Sequence, residues 1–289
     1  MNNNLPYLIN LPPFMFRGVN IDEFSFLQKM FFILKGKLVS IIINKTNEKI
    51  FCKLINTLFR DSDISYRSGL YLKNYKDLEI YFPNKRILRL VNNPKLSFDK
   101  IYHSYCLEKV SFESNDVIVD CGANVGELNL ALALRGVSIN YIGFEPDKST
   151  FKCLELNNEN MNSDLYNLAL SNISGESNLY LDNEGGNSSL VDFGTESNVI
   201  VETRTLDSFN FEKIKLLKID AEGFEPEVLE GAKESLENIE YISIDFGGER
   251  GPEQKKTIVS VNRFLYKNNY QLIEFSDYRF IGLYKNNRF

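Results

Sequence analysis

The 289-residue chain has no tryptophan and one histidine, His103. Its four cysteines, Cys52, Cys106, Cys121 and Cys153, form no Cys-x-x-Cys pair. That leaves too few ligands for a zinc site of the usual Cys/His kind. Scattered thiols suit a reducing compartment, so a cytoplasmic location is expected. Positive charge is also short: 33 Lys and Arg stand against 39 Asp and Glu, for a net charge of −6. Non-specific nucleic-acid binding rests on clustered Lys and Arg, so nucleic acid is not an expected partner. The start, Met1-Asn2-Asn3-Asn4, lacks the basic segment of a secretory signal, and none is expected. A long uncharged apolar run is missing as well. The greasy stretch from Phe24 to Ile43 is interrupted by Lys35-Gly36-Lys37, where a spanning helix tolerates charge badly. A buried helix, a helix in peripheral contact with a membrane, or a homodimer contact remains.

What is present is enough apolar residue, 43%, for a packed core. Two patterns divide the chain at about residue 100. In residues 1–100, Phe24, Leu27, Phe31 and Leu34 recur at helical spacing, and Ile50, Leu54 and Leu58 suggest a second helix. Gly69–Lys73, Leu78–Phe82 and Arg86–Val91 then read as three short antiparallel strands. This extension is expected to act as a dimer surface or an acceptor-binding cap.

Residues 101–289 alternate strand and helix, which predicts a doubly wound α/β domain with a parallel sheet. Strands are expected at Val117–Val119, Ile139–Phe144, Leu165–Leu168, Leu216–Ile219 and Ile239–Ile244, with a closing pair at Gln271–Phe275 and Tyr278–Tyr284. Helices are expected at Asn124–Leu134, after Asp147, from Pro226 to Leu236 and from Glu253 to Lys267.

Four of the strands run into an acid: Asp120, Glu145, Asp220 and Asp245. Ligands of such sheets bind outside the carboxyl ends of the strands. A carboxylate beside an apolar core is costly unless something pairs with it, and helix capping would account for one or two of the four. The first turn reads Asp120-Cys121-Gly122-Ala123-Asn124-Val125-Gly126. Its glycines let the backbone approach a ligand closely. Glu145 ends the next strand at a spacing suited to a ribose diol, which leaves NAD and S-adenosylmethionine as candidates. The position of the pyrophosphate glycine holds Asn124, and Asp120 would repel a pyrophosphate. Charge therefore favours the cationic sulfonium cofactor.

The segment from Val117 to Gly126 resembles the first motif of FkbM-type methyltransferases. Gly143-Phe144-Glu145-Pro146-Asp147 is similar to that family's acidic loop. So are Thr205-Leu206-Asp207, the run from Leu217 to Glu225, and Val228-Leu229-Glu230-Gly231-Ala232. The resemblance implies a Rossmann-like class I methyltransferase sheet that transfers methyl from S-adenosylmethionine to a hydroxyl, often that of a sugar in a surface glycan or of a natural product. It implies that Gly122, Ala123, Asn124 and Gly126 line the methionine end of the cofactor. Asp120 would lie near its ammonium, Glu145 and Pro146 at the ribose, and Asn167, Leu168 and Ala169 at the adenine.

A sugar hydroxyl is a poor nucleophile, so its proton needs an acceptor. Asp220 and Glu222 lie two apart at a strand end and can face one side, with Lys218 beside them. Asp220 is expected as base or metal ligand, Glu222 as an orienting group, and Asp245 as a second ligand of a divalent cation such as Mg. The family often has Glu where Asp245 stands. His103 is a further candidate base, and Tyr102 and Tyr105 a candidate aromatic wall. The loop from Asp182 to Ser189 is expected to gate the substrate. An NAD-dependent oxidoreductase, a non-catalytic assembly protein on this fold and an RNA methylase are the competing readings.

Overall fold

The computed structural model describes residues 7–8, 11–182, 188–276 and 278–289. The core of the expected gating loop, residues 183–187, lies outside the described residues. The chain forms two compact units, Met1–Ile101 and Tyr102–Phe289.

The first unit begins with helix α1 (Phe26–Lys45). A reciprocal cap opens it: Gln28 N–H donates to Ser25 Oγ, and Ser25 N–H donates to the Gln28 side chain. Helix α2 (Glu48–Leu58) starts where the Asn47 side chain accepts from Ile50 N–H. Its buried face, Phe51, Cys52 and Ile55, sits beside β1 (Ile64–Arg67), β2 (Leu70–Tyr75) and β3 (Leu78–Phe82), an antiparallel meander. This corrects the expected strand set. Ile64–Arg67 is a strand because Ser68 and Gly69 both take positive φ, which closes a two-residue hairpin. The residues expected as a third strand fold instead into a 3-10 turn, Lys85–Leu90, opened by the Asn84 side chain accepting from Arg86 N–H. Ile87, Leu88, Leu90 and Val91 are all buried, a run without the alternation a half-exposed strand needs. Helix α3 (Pro94–Ser104) follows.

In the second unit the strands are β4 (Val117–Cys121), β5 (Asn140–Phe144), β6 (Ser163–Tyr166), β7 (Ala169–Leu170), β8 (Gly175–Tyr180) and β9 (Asn198–Arg204). They continue with β10 (Ile214–Ile219), β11 (Ile239–Asp245), β12 (Tyr270–Phe275) and β13 (Ile281–Asn286). Seven of them form one sheet in the order β12-β13-β11-β10-β4-β5-β6. Neighbours from β11 to β6 are parallel, and β13 is antiparallel to both its neighbours. Helices α4 (Glu127–Ala133), α5 (Lys148–Asn158), α6 (Glu225–Glu230) and α7 (Ile258–Lys267) are the connections. The sheet is doubly wound: the chain leaves β4 toward β5 and β6, then returns to β10 on the other side. The carboxyl ends of β4 and β10 are its switch point. Val119, Leu217, Ile219, Ile242 and Ile244 are buried beneath it with Val228, Leu229, Val261 and Leu265 from the helices.

The sequence reading missed a second sheet, β7-β9-β8, inserted between β6 and β10. Most of its residues are exposed, so they carry no long apolar run. Helix α6 is shorter than expected and ends at Glu230; Gly231 follows it and packs on the Ser171 carbonyl, where a Cβ would lie 1.9 Å from that oxygen. Helix α7 starts at Ile258, after a turn in which Gly251 and Gln254 take positive φ.

Candidate active site

Gly122, Asn124 and Gly126 all take positive φ, so the chain after β4 folds into a turn that few residues tolerate. Gly122 is fixed by contact as well. A Cβ there would lie 2.0 Å from the Asp220 carbonyl oxygen, and the backbones after β4 and β10 meet at that point. Gly122 and Ala123 donate to the Phe144 carbonyl, and Asp220 N–H donates to Cys121.

Asp120 lies inside β4 rather than at its end. It pairs in register with Lys218 on β10, and Lys218 Nζ stands 2.8 Å from Asp120 Oδ1. The Tyr141 hydroxyl donates to Asp120 Oδ2 at 2.5 Å. Lys218 also donates to the Cys121 and Gly122 carbonyls. Burial would strip the Lys218 proton, but Asp120, then Tyr105 and Asp220, hold its pKa above the usual lysine value. Lys218 therefore neutralises Asp120 and fastens the glycine turn, whereas the sequence had placed it beside Asp220.

Glu145 follows β5 and is buried. It accepts from the backbone N–H groups of Asn124 and Asp147, both at 2.9 Å. Burial pushes its carboxyl up to about 7, against the pull of those amides. The Asn167 side chain donates to the Glu145 and Pro146 carbonyls, which draws the start of β7, with buried Leu168 and Ala169, to the same loop. Glu145, Pro146, Asn167, Leu168 and Ala169 thus lie on neighbouring stretches of chain.

After β10 the chain turns sharply at Glu222 and Gly223, both at positive φ. Glu222 carries the strain of that region for a residue with a Cβ. Its carbonyl accepts from Ser189 Oγ at 2.8 Å, and the Gly223 carbonyl accepts from Arg250 Nη1 at 2.7 Å. Buried Glu225 accepts from Gly223 N–H and Thr257 Oγ1, and burial raises it to about 8.

Around this turn gather Asp220, Glu222, Asp245 and Glu249. Arg279, from the turn between β12 and β13, reaches into them. Its Nη2 lies 2.8 Å from Asp220 Oδ2 and 2.7 Å from Asp245 Oδ2. Its Nη1 donates to the Tyr105 hydroxyl, which donates to Asp220 Oδ2 at 2.5 Å. Burial would raise Asp220. Arg279, Lys218 and Tyr105 outweigh it and hold the carboxyl below the ordinary range. Glu222 is pushed well up by burial, then by Asp220 and Glu249. Glu249 rises to about 7, chiefly by burial. Glu222 Oε2 and Glu249 Oε2 are buried without a donor, and so is Asp220 Oδ1. Glu249 disfavours the ionised form of Glu222, as two neighbouring carboxyls do.

Two expectations are corrected. A divalent cation between Asp220 and Asp245 does not fit, because one guanidinium nitrogen already bridges an oxygen of each. Among the described residues no group of three or more His, Cys, Asp and Glu is placed to hold a metal ion. His103 is not drawn into the acid cluster either. Its ring lies between Glu108, 3.2 Å from Nδ1, and Arg135, 3.3 Å from Nε2. Arg135 also covers the Tyr102 ring at 4.0 Å, so of the expected aromatic wall only Tyr105 touches the site. Arg279 and Glu249 were missed. The signal for Glu249 was weak, one acid in Gly247-Gly248-Glu249, and Arg279 had none.

The model of the methyltransferase FkbM domain matches residues 120–272. The chain is similar to methyltransferase sdnD of Sordaria araneosa, 28% identical over 176 residues, which cover 47% of this chain and 68% of that protein. It is 26% identical over 160 residues to methyltransferase 1 of Beauveria bassiana (strain ARSEF 2860), with 46% and 64% covered. Among solved structures it is similar to methyltransferase FkbM from Methylobacillus flagellatus KT, at 16% identity, TM-score 0.45, and 68% and 56% coverage. Another is TrmK of M. capricolum in complex with S-adenosyl-homocysteine, at 13% identity, TM-score 0.38, and 64% and 68% coverage.

Proposed function

The chain belongs to the methyltransferase FkbM family, and from that premise we propose that it transfers a methyl group from S-adenosylmethionine to a hydroxyl oxygen. The proposed acceptor is a sugar of a surface glycan or of a glycosylated natural product. The residues at the switch point fit the cofactor's chemistry. Glu145, with Pro146 behind it, offers a buried carboxylate edge to ribose hydroxyls, and Leu168 and Ala169 an apolar surface to adenine. Gly122, Ala123, Asn124 and Gly126 leave backbone room for the methionine end. S-adenosylmethionine, when bound, supplies an electrophilic methyl on a cationic sulfur, and an acidic rim favours that charge. The same rim disfavours a pyrophosphate, which weighs against an NAD-dependent reaction.

The observation that carries the hydroxyl reading is the Glu222–Glu249 pair beside an ionised Asp220. Methyl transfer to an alcohol releases a proton, and an acceptor with a pKa near 7 is matched to that task. Glu249 meets this requirement. Asp220, held ionised by Arg279, is a weak base, and its work is to fix Arg279 and Tyr105. Asp120 and Lys218 support the glycine turn from below. The test is calorimetry with S-adenosylmethionine and with NAD, followed by transfer of labelled methyl to a panel of saccharides. Binding of NAD in place of S-adenosylmethionine would overturn the cofactor assignment. Cofactor binding with methyl appearing on nitrogen or carbon acceptors instead would overturn the hydroxyl assignment.

A further inference from the structure

Helix α1 inverts the usual order of a surface helix. Its buried residues, Gly36, Val39 and Ile42, lie on one face. On the opposite face Phe26, Leu27, Phe31, Leu34, Leu38 and Ile41 are exposed, Leu27 by 77% and Phe26 by 75%. Spaced at three and four residues, they make a continuous apolar stripe along a helix of 20 residues, about 30 Å long. Water-facing patches of this size mark interaction surfaces.

Charge identifies the occupant. Helix α1 contains Lys29, Lys35, Lys37 and Lys45 and no acid. Lys35 turns inward over the Phe59 ring, whereas Lys37 and Lys45 are exposed on the outer side. The unit Met1–Ile101 holds sixteen Lys and Arg against eight Asp and Glu, although the whole chain is acidic. A second copy of α1 would set lysines against lysines. A nucleic acid would leave the apolar stripe in water. An anionic lipid surface satisfies both features, with acyl chains for the stripe and headgroups for the lysines. Among the described residues no helix is long and apolar enough to cross a membrane, so the helix would lie in the plane of the interface.

We propose that α1 docks the protein onto an anionic membrane surface, its stripe sunk among the headgroups and Lys37 and Lys45 beside them. The proposal is independent of the reaction assigned above.

The chain has no tryptophan, so Leu34→Trp supplies a single reporter on the stripe. The full chain is mixed with vesicles of phosphatidylcholine, with or without one third phosphatidylglycerol, and followed by flotation and by tryptophan emission. The expected result is flotation and a blue shift with anionic vesicles, at least tenfold weaker with neutral ones. Leu34→Glu with Ile41→Glu should abolish flotation while melting temperature and S-adenosylmethionine binding stay unchanged. Lys37→Gln with Lys45→Gln should weaken it more than tenfold, at about fivefold per lysine. No flotation of the parent chain, or flotation that survives the double glutamate variant, overturns the proposal. So does a dimer in light scattering that the glutamate variant dissociates while vesicles are ignored. RNA binding without vesicle binding overturns it as well.

Discussion

Lys218 Nζ and Asp120 Oδ1 are 2.8 Å apart on adjacent parallel strands, with both side chains almost completely buried. The pair sits directly beneath the glycine turn, because Lys218 also donates to the Gly122 carbonyl. Removing one partner strands the other charge in the core. Lys218→Met should cost about 3–5 kcal/mol, read from urea unfolding. Adding Asp120→Asn to it should recover part of that loss. If both variants unfold like the parent, the pair is not buried as described.

Glu249 accepts a proton only when ionised. Its pKa of about 7 predicts a methyl-transfer rate that rises with pH through about 7 and then levels. Glu249→Gln should lower turnover by about 10²–10⁴-fold and erase that rise, while cofactor affinity is retained. A Glu249→Gln profile that keeps the rise assigns the proton to another group.

The Arg279 bridge predicts indifference to metal. Exhaustive treatment with EDTA should leave methyl transfer unchanged. Arg279→Gln should leave Asp220 and Asp245 in mutual repulsion, raise the Asp220 pKa into the ordinary carboxylate range or above, and reduce turnover. Rescue of activity by Mg²⁺ after EDTA would contradict this account.

At Gly122 the prediction is steric. Gly122→Ala places a methyl 2.0 Å from the Asp220 carbonyl oxygen at a positive φ. The two turns must separate, at a cost of more than about 3 kcal/mol, and cofactor affinity should fall with stability. Gly18→Ala, also at positive φ but with nothing within 4 Å, isolates the backbone contribution, and its loss should be much smaller.

Glu225 gives a pH-dependent stability. Its carboxyl goes from its ordinary 4.5 to about 8 in the fold. The folded state therefore holds a proton that the unfolded chain has released. The contribution is full below about pH 4.5 and is lost as pH rises toward about 8, a difference on the order of 5 kcal/mol. Glu225→Gln should flatten that decline and be more stable than the parent at pH 8.5. Parallel pH–stability curves for the two proteins would remove Glu225 as its source.

Much of the parallel sheet was legible because its strands are short apolar runs that lead into an acid. Asp120, Glu145, Asp220 and Asp245 could be placed near one edge from that pattern alone. Partners were harder to read. Lys218 seemed to belong to Asp220, two residues away along the chain. The register of β10 against β4 gives it to Asp120 instead. Arg279 comes 59 residues after Asp220 and carries no local mark of its destination, since only the antiparallel return of β13 brings it there. Ser68-Gly69 was a readable hairpin signal. The β7-β9-β8 sheet was not, because its exposed strands alternate too weakly to be told from loop.

The order of residues along the chain has a consequence for biogenesis. Asp220, Glu222, Asp245 and Glu249 all leave the ribosome before the guanidinium that reconciles Asp220 with Asp245. Until β13 threads between β11 and β12, that rim is a set of like charges without its counter-ion, and it resists closing. The arm that completes the sheet therefore also carries the counter-ion that Asp220 and Asp245 share.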